Sequence, residues 1–314
     1  MGNRKILITG ALGQIGSELA LYFKDIYGAG NIIATDISDK NVDALEDIKY
    51  EPLDVTDGNR LHELVKTYNI DTIVNLAAIL SATGEKIPQK TWEVNMGGLV
   101  NVLDVAVQEN CSVFTPSSIA AFGDSTPKDN TPQVTIQRPN TMYGVTKVAG
   151  EVLCDYYHHR FGLDTRGVRY PGIISYKTLP GGGTTDYAVH IYFEALKNKK
   201  YKSFIAEGTK MDMMYMPDAL KAVVDLMEAD PAKLINRNAF NVTAMSFAPE
   251  DLERAIKKVM PEFVLEYEVD PVRQAIADSW PNSLDDSAAR EEWGWSPEFD
   301  IDKMTEDMLK NIKL

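Results

Sequence analysis

The sequence is short of the residues from which several classes of protein are built. Its 314 residues hold two cysteines, Cys111 and Cys154, far apart and outside any CxxC or Cys/His cluster. That excludes the usual zinc frameworks and a disulfide-stapled scaffold, and predicts two reduced, buried thiols with no metal site. Positive charge is scarce: 32 Lys and Arg face 46 Asp and Glu, a net charge of −14. Such a balance repels phosphate backbones and anionic membrane surfaces, so neither a nucleic acid nor a membrane is expected as a partner. No run of about 18 apolar residues is available to span a bilayer, and no cationic segment leads into a cleavable apolar stretch, so a soluble, cytoplasmic protein is expected. Repeats and low-complexity segments are missing too. With 44% hydrophobic and 25% charged residues the composition is that of a chain that folds. Its length suits one large α/β unit or a two-part chain.

What is present is an alternation of short apolar runs and amphipathic stretches. Residues 5–9 form an apolar run ending in Gly10, and residues 15–27 then carry Ile15, Leu19, Tyr22, Phe23 and Ile26 at helical spacing. Residues 31–36 read as a second buried strand, 50–54 lead into a third, and a helix over 59–68 starts near Asp57. A strand at 71–77, a helix over 90–108, a strand at 112–115, a long helix over 143–161 and a strand at 165–170 follow. Strands alternating with helices predict a parallel sheet covered on both faces, a doubly wound Rossmann α/β fold. Beyond Pro171 the alternation weakens: Pro180-Gly181-Gly182-Gly183 interrupts it, 187–197 looks helical, and proline-bounded pieces follow. The expected division is a first domain over residues 1–174, to which the chain returns at about 217–245, and a smaller C-terminal substrate-binding lobe made mainly of 175–314.

The turn after the first strand reads Thr9-Gly10-Ala11-Leu12-Gly13-Gln14-Ile15-Gly16, a GxxGxxG at the mouth of a helix. Gly10 permits the tight turn, Gly13 lets the backbone approach a pyrophosphate, and Gly16 allows close packing of the helix. The helix start, with Gln14 and Ile15, offers free N–H groups and a positive dipole. Asp36 ends the second strand 20 residues after Gly16, where its carboxylate can accept from adenosine ribose hydroxyls and would repel a 2′-phosphate, so NAD is favoured over NADP. Asp54 and Val55 follow the third strand and are candidates for the adenine. Leu76, Ala77 and Ala78, small and apolar at a strand end, would let a dinucleotide lie across the sheet edge.

Tyr143-Gly144-Val145-Thr146-Lys147 gives YxxxK at a helix start. Residues four apart share a helical face, so Lys147 can stand beside Tyr143 and stabilise its phenolate, making the tyrosine a general base at neutral pH. Ser117-Ser118 lies just past a strand and supplies a hydroxyl; alternation points only one of the two into a cleft. Ser81, in the loop after the fourth strand, is a candidate substrate ligand. Gly183, Thr184 and Thr185, at a helix start, offer N–H and hydroxyl donors to a substrate carboxylate.

Glycine turn, serine and YxxxK together resemble the signature of the extended short-chain dehydrogenase/reductase family. The resemblance implies a Rossmann fold, NAD(P) and a proton-transfer set of Ser118, Tyr143 and Lys147, with Lys147 also holding the nicotinamide ribose. It further implies that Tyr170 and Ile173, in Tyr170-Pro171-Gly172-Ile173, contact the nicotinamide end, and that Trp293-Gly294-Trp295-Ser296-Pro297 is a packing motif. Narrower stretches, including 80–86, 92–99 with Asn95 as a further cofactor contact, 130–133, 213–219 and above all 180–189, resemble the short-chain L-threonine 3-dehydrogenases within that family. This implies oxidation of L-threonine, and a homodimer formed through the helices near 90–108 and 143–161. A nucleotide-sugar epimerase or dehydratase uses the same Ser/Tyr/Lys set and stays open, as does a non-catalytic dinucleotide sensor.

Overall fold

The computed structural model describes residues 4–177 and 183–314. In chain order the elements are β1 Ile6–Thr9, α1 Gln14–Tyr27, β2 Ile32–Asp36, β3 Lys49–Pro52, α2 Gly58–Tyr68, β4 Thr72–Asn75, α3 Ser81–Gly84 and α4 Pro88–Trp92. A π-helical turn, Glu93–Gly97, leads into α5 Gly98–Glu109, followed by β5 Ser112–Phe114, β6 Ser117–Ser118, α6 Met142–Phe161, β7 Thr165–Arg166, β8 Val168–Tyr170 and β9 Gly172–Ile174. After them come α7 Tyr187–Asn198, β10 Lys200–Ser203, β11 Met211–Tyr215, α8 Met216–Glu228, β12 Phe240–Asn241, β13 Met245–Phe247, α9 Pro249–Val259, β14 Val264–Tyr267, α10 Pro271–Ser279, α11 Ser287–Trp293 and α12 Ile301–Asn311. Among the described residues no helix is long and apolar enough to cross a membrane.

The chain forms two compact units. The first contains Met1–Ser117, Thr141–Arg169 and Ala222–Phe240. Its sheet has the order β3-β2-β1-β4-β5-β7, with every pair parallel. This is the doubly wound Rossmann arrangement, in which the strand order reverses between β1 and β4 and leaves a crevice at their C-terminal ends. The strands are buried and rich in branched residues, as a sheet covered on both faces requires. One core joins Leu7, Ile73 and Val113 of the sheet to Leu61 and Leu64 of α2 and Val102 and Leu103 of α5. Cys111 and Cys154 are free thiols buried in that cluster. The returning segment pairs at Gly167, whose carbonyl accepts from Ala239 N–H at 2.9 Å.

Two expected elements are broken. The helix read as continuous over 90–108 contains the π turn, and the strand read over 165–170 stops at Gly167. There a side chain would run into the Thr115 carbonyl, so the close approach of two backbones ends the pairing.

The second unit contains Ser118–Asn140, Tyr170–Lys221 and Asn241–Leu314. It is built on a three-stranded sheet β13-β11-β9, antiparallel on one side and parallel on the other, and a parallel pair β10-β14. Trp295 is buried, its indole N–H donating to Thr243 O at 3.2 Å, which agrees with a packing role for the Trp293-Gly294-Trp295 stretch.

Candidate active site

The glycine turn is forced by crowding as much as by the tightness of the bend. Gly10 has a φ of +68°, and a side chain there would lie 2.8 Å from Ala77 N and 2.9 Å from Leu76 C. Leu76 and Ala77 thus lock onto the turn itself. A side chain at Gly16 would lie 2.8 Å from Ala11 Cα and closer still to Gly10 O, so this glycine packs against the loop before the helix. Gly13, exposed, caps α1 without a side-chain acceptor, and no acidic residue stands in the first helical turn. The positive helix end is therefore left for an anion from outside the chain. Beside it the Gln14 side-chain NH₂ is buried with no hydrogen-bond partner among the described residues, a donor in want of an acceptor. Both observations fit a dinucleotide pyrophosphate at the turn.

Asp36 is tied to that turn: its carboxylate accepts from Leu12 N–H at 3.0 Å and from Ser38 N–H at 3.1 Å. This fixes a negative charge at the end of β2. Asp54 is held by Thr56, accepting from its N–H at 2.9 Å and its hydroxyl at 2.7 Å, and these bonds lower its pKa. The Val55 side chain is 5% exposed and faces Gly98 in the core, and its carbonyl accepts from Asn101.

Asn95 lies in the π turn and acts on the chain. Its carboxamide oxygen accepts from Ile79 N–H at 2.8 Å, and its two amide protons go to Ile79 O and Thr146 Oγ1, both at 3.1 Å. With its donors so engaged it ties Ile79 to α6. The π turn, a common device at functional sites, rotates Asn95 into that position. Ser81, expected in the loop after the fourth strand, opens the one-turn helix α3 and is buried there.

Helix α6 begins with two caps that the sequence reading missed. Thr141 Oγ1 accepts from Gly144 N–H at 3.1 Å, and Glu85 accepts from Met142 N–H at 2.7 Å. Thr141 was recoverable as a hydroxyl immediately ahead of a helical pattern; Glu85, 57 residues away from Met142, was not. These caps hold Tyr143 in the first turn. Lys147 Nζ stands 5.3 Å from the Tyr143 ring centroid and donates to Pro116 O at 2.7 Å. Burial draws the lysine down from 10.5 to about 8, against the carboxylate of Glu151. One turn further, Glu151 takes a forked contact from Arg169 and the Ser117 hydroxyl. Ser117 is thereby turned into the helix, and alternation leaves Ser118 for the other face.

In the second unit, Ser118 is half-buried and its Oγ accepts from Ala120 N–H at 3.2 Å. Tyr170 is buried, and its hydroxyl donates to Ala219 O at 2.6 Å. Ile173 is half-buried between buried neighbours. Gly172 beside it is needed for close approach, since a side chain there would meet Met213 Sδ and lie 2.6 Å from Thr185 Cγ2. The Gly183–Thr185 segment therefore sits against β9. Gly183 N–H donates to Asp186 at 2.5 Å and is not available to a substrate carboxylate; Thr184 is buried, and Thr185 is the part-exposed member. Pro180, Gly181 and Gly182 lie outside the described residues.

The profile of the NAD dependent epimerase/dehydratase family matches residues 6–243. The chain belongs to that family and is an NAD-dependent enzyme. In structure it is similar to the L-threonine dehydrogenase of Clostridium difficile, 63% identical, over 98% of this chain and 97% of that one, with a TM-score of 0.97. It is also similar to a monomeric L-threonine 3-dehydrogenase from a metagenome, 46% identical over 98% of each chain, TM-score 0.93. By sequence it is 58% identical over 311 residues to an uncharacterized epimerase/dehydratase of Staphylococcus saprophyticus, covering 99% of this chain and 97% of that protein.

Proposed function

We propose that the protein oxidises L-threonine at its β-hydroxyl to 2-amino-3-oxobutanoate, with NAD as oxidant. The observation that carries the reading is the pair on α6, a tyrosine in the capped first turn with a desolvated lysine 5.3 Å from its ring, in a chain 63% identical to a threonine dehydrogenase. Gly10, Gly13, Gln14, Ile15 and Gly16 would hold the pyrophosphate, Asp36 the adenosine ribose, and Asp54 the adenine edge. When bound, NAD accepts the hydride from the β-carbon. Tyr143 takes the hydroxyl proton, Lys147 favours its phenolate and holds the nicotinamide ribose, and Ser118 orients the hydroxyl. Ser81 and Thr185, with Thr184, would hold the amino-acid end. Cofactor binding belongs to the first unit, and substrate recognition mainly to the second.

The protein is a cytoplasmic homodimer in this reading. Val145, Val152 and Tyr156 face outward on α6, away from Tyr143 and Lys147, and Trp92, Val100 and Val107 are exposed on α4 and α5. Such apolar helix faces suit an isologous contact between two copies. A nucleotide-sugar epimerase is the second reading, favoured by the family's name, and would show tightly held NAD with no net NADH. The test is NADH formation by the purified enzyme with L-threonine, and its loss by at least about a hundredfold in Tyr143→Phe with NAD binding retained. A Tyr143→Phe enzyme of full activity would remove the assigned base.

A further inference from the structure

Tyr143, Lys147, Glu151 and Cys154 follow one another on one face of α6 at spacings of four, four and three. The third is unexpected at that depth. Glu151 is 8% exposed, and a carboxylate so far from water is costly to hold unless it is paired. Arg169 on β8 pairs with it through a fork, Nε at 3.0 Å from Oε1 and Nη2 at 2.8 Å from Oε2, and Ser117 Oγ donates to Oε1. Hydrocarbon in place of a buried ion pair is often as stable or more so, and stability therefore gives no reason for this one.

Its location does. Lys147 Nζ donates to Pro116 O, and Glu151, one helical turn on, receives the hydroxyl of the next residue, Ser117. The backbone at 116–117 is thus pinned to α6 at two adjacent points, and the pinning decides which of the two serines turns away from the helix.

We propose that Glu151, held by Arg169, is a positioning residue for Lys147: it provides the counter-charge that keeps the buried lysine an ammonium, and through Ser117 it fixes the strand that receives this ammonium. The inference rests on the proposed role of Lys147. A cavity of about 40 Å³ is lined by Ser117, Lys147 and Glu151 together with the strand-end residues Asn75 and Thr115. Its titratable lining among the described residues is Lys147, Glu151 and Cys154, while Asn75, Thr115, Thr146 and Asn238 are neutral. Tyr143 lies beside the lysine on the same helix, and Arg169 approaches the carboxylate from β8. Burial pushes the Cys154 thiol far up, so it stays uncharged. Glu151 is the counter-charge in this lining, opposing the burial that draws Lys147 to about 8. Without that charge the burial of Lys147 is less opposed, and the lysine falls further.

The test is competitive acetylation of Lys147 across pH, read by mass spectrometry on the full chain without substrate. Glu151→Gln should lower the labelling midpoint by about one pH unit or more, and Glu151→Asp should restore most of it. Ser117→Ala should leave the midpoint in place and lower kcat by about tenfold, because the strand is no longer held. An unmoved midpoint in Glu151→Gln overturns the counter-charge; if that variant does not fold, a Ser117→Ala enzyme of native kcat overturns the proposal. The midpoint is read without turnover, so a native enzyme inert toward L-threonine would strike the proposed reaction and leave this result standing.

Discussion

Replacing Gly16 by alanine should weaken NAD binding by about five- to hundredfold while leaving the protein folded. The new methyl would lie 2.8 Å from Ala11 Cα and nearer to Gly10 O, both backbone atoms that cannot swing aside as a side-chain end can. Overpacking of this kind costs about 1–3 kcal/mol. In the free protein the Gly10–Ala11 turn relieves it by shifting. Binding requires the turn in its original place, where Gly10 touches Leu76 and Ala77, so the strain returns and is set against affinity. At about 1.4 kcal/mol per decade this is a five- to hundredfold rise in Kd. Gly13→Ala is the internal control, its methyl at 3.2 Å from Gly10 O and the site exposed, so the neighbour need give only by tenths of an ångström. Fluorescence titration with NAD reads both. A Gly16→Ala protein of native affinity, or one that binds better than Gly13→Ala, would refute the argument that crowding of the turn sets the site.

Two further outcomes follow from α6. Lys147→Met should abolish threonine-dependent NADH formation and raise the melting temperature at pH 7, because desolvation that brings the amine from 10.5 to about 8 costs the folded state about 3 kcal/mol. The sign is that of a base lowered by folding: the penalty is full below pH 8 and fades as pH rises toward the unfolded value, so the gain over native enzyme should shrink between pH 8 and 10. A melting temperature that falls at pH 7 would contradict this. Thr141→Ala removes the cap on Gly144 N–H and should cost about 1 kcal/mol, measured by denaturant unfolding, with a several-fold drop in kcat as Tyr143 loosens.

The parts of the fold that local chemistry dictates were readable from the residues. The apolar runs give the parallel strands, Gly10 to Gly16 give the turn, and four-residue spacing puts Lys147 beside Tyr143. What was not readable depends on partners distant in sequence. Asn95 in the π turn meets Ile79 and Thr146, Gly167 breaks a strand because Thr115 O lies against it, and the Tyr170 hydroxyl reaches Ala219. Alternation alone stated that Ser117 and Ser118 differ, but only the Glu151 contact says which of them is taken. Gly183 looked like a free donor until Asp186, three residues on, proved to hold its N–H.

The proposed reaction is tested by NADH formation from the purified native enzyme offered L-threonine, L-allo-threonine, L-serine and UDP-sugars in turn, with the product identified by mass. Sustained NADH formation with L-threonine, 2-amino-3-oxobutanoate or its decarboxylation product, and no turnover of the sugars are the expected results. Interconversion of a UDP-sugar on tightly held NAD, with no NADH released from any amino acid, would contradict the proposed reaction.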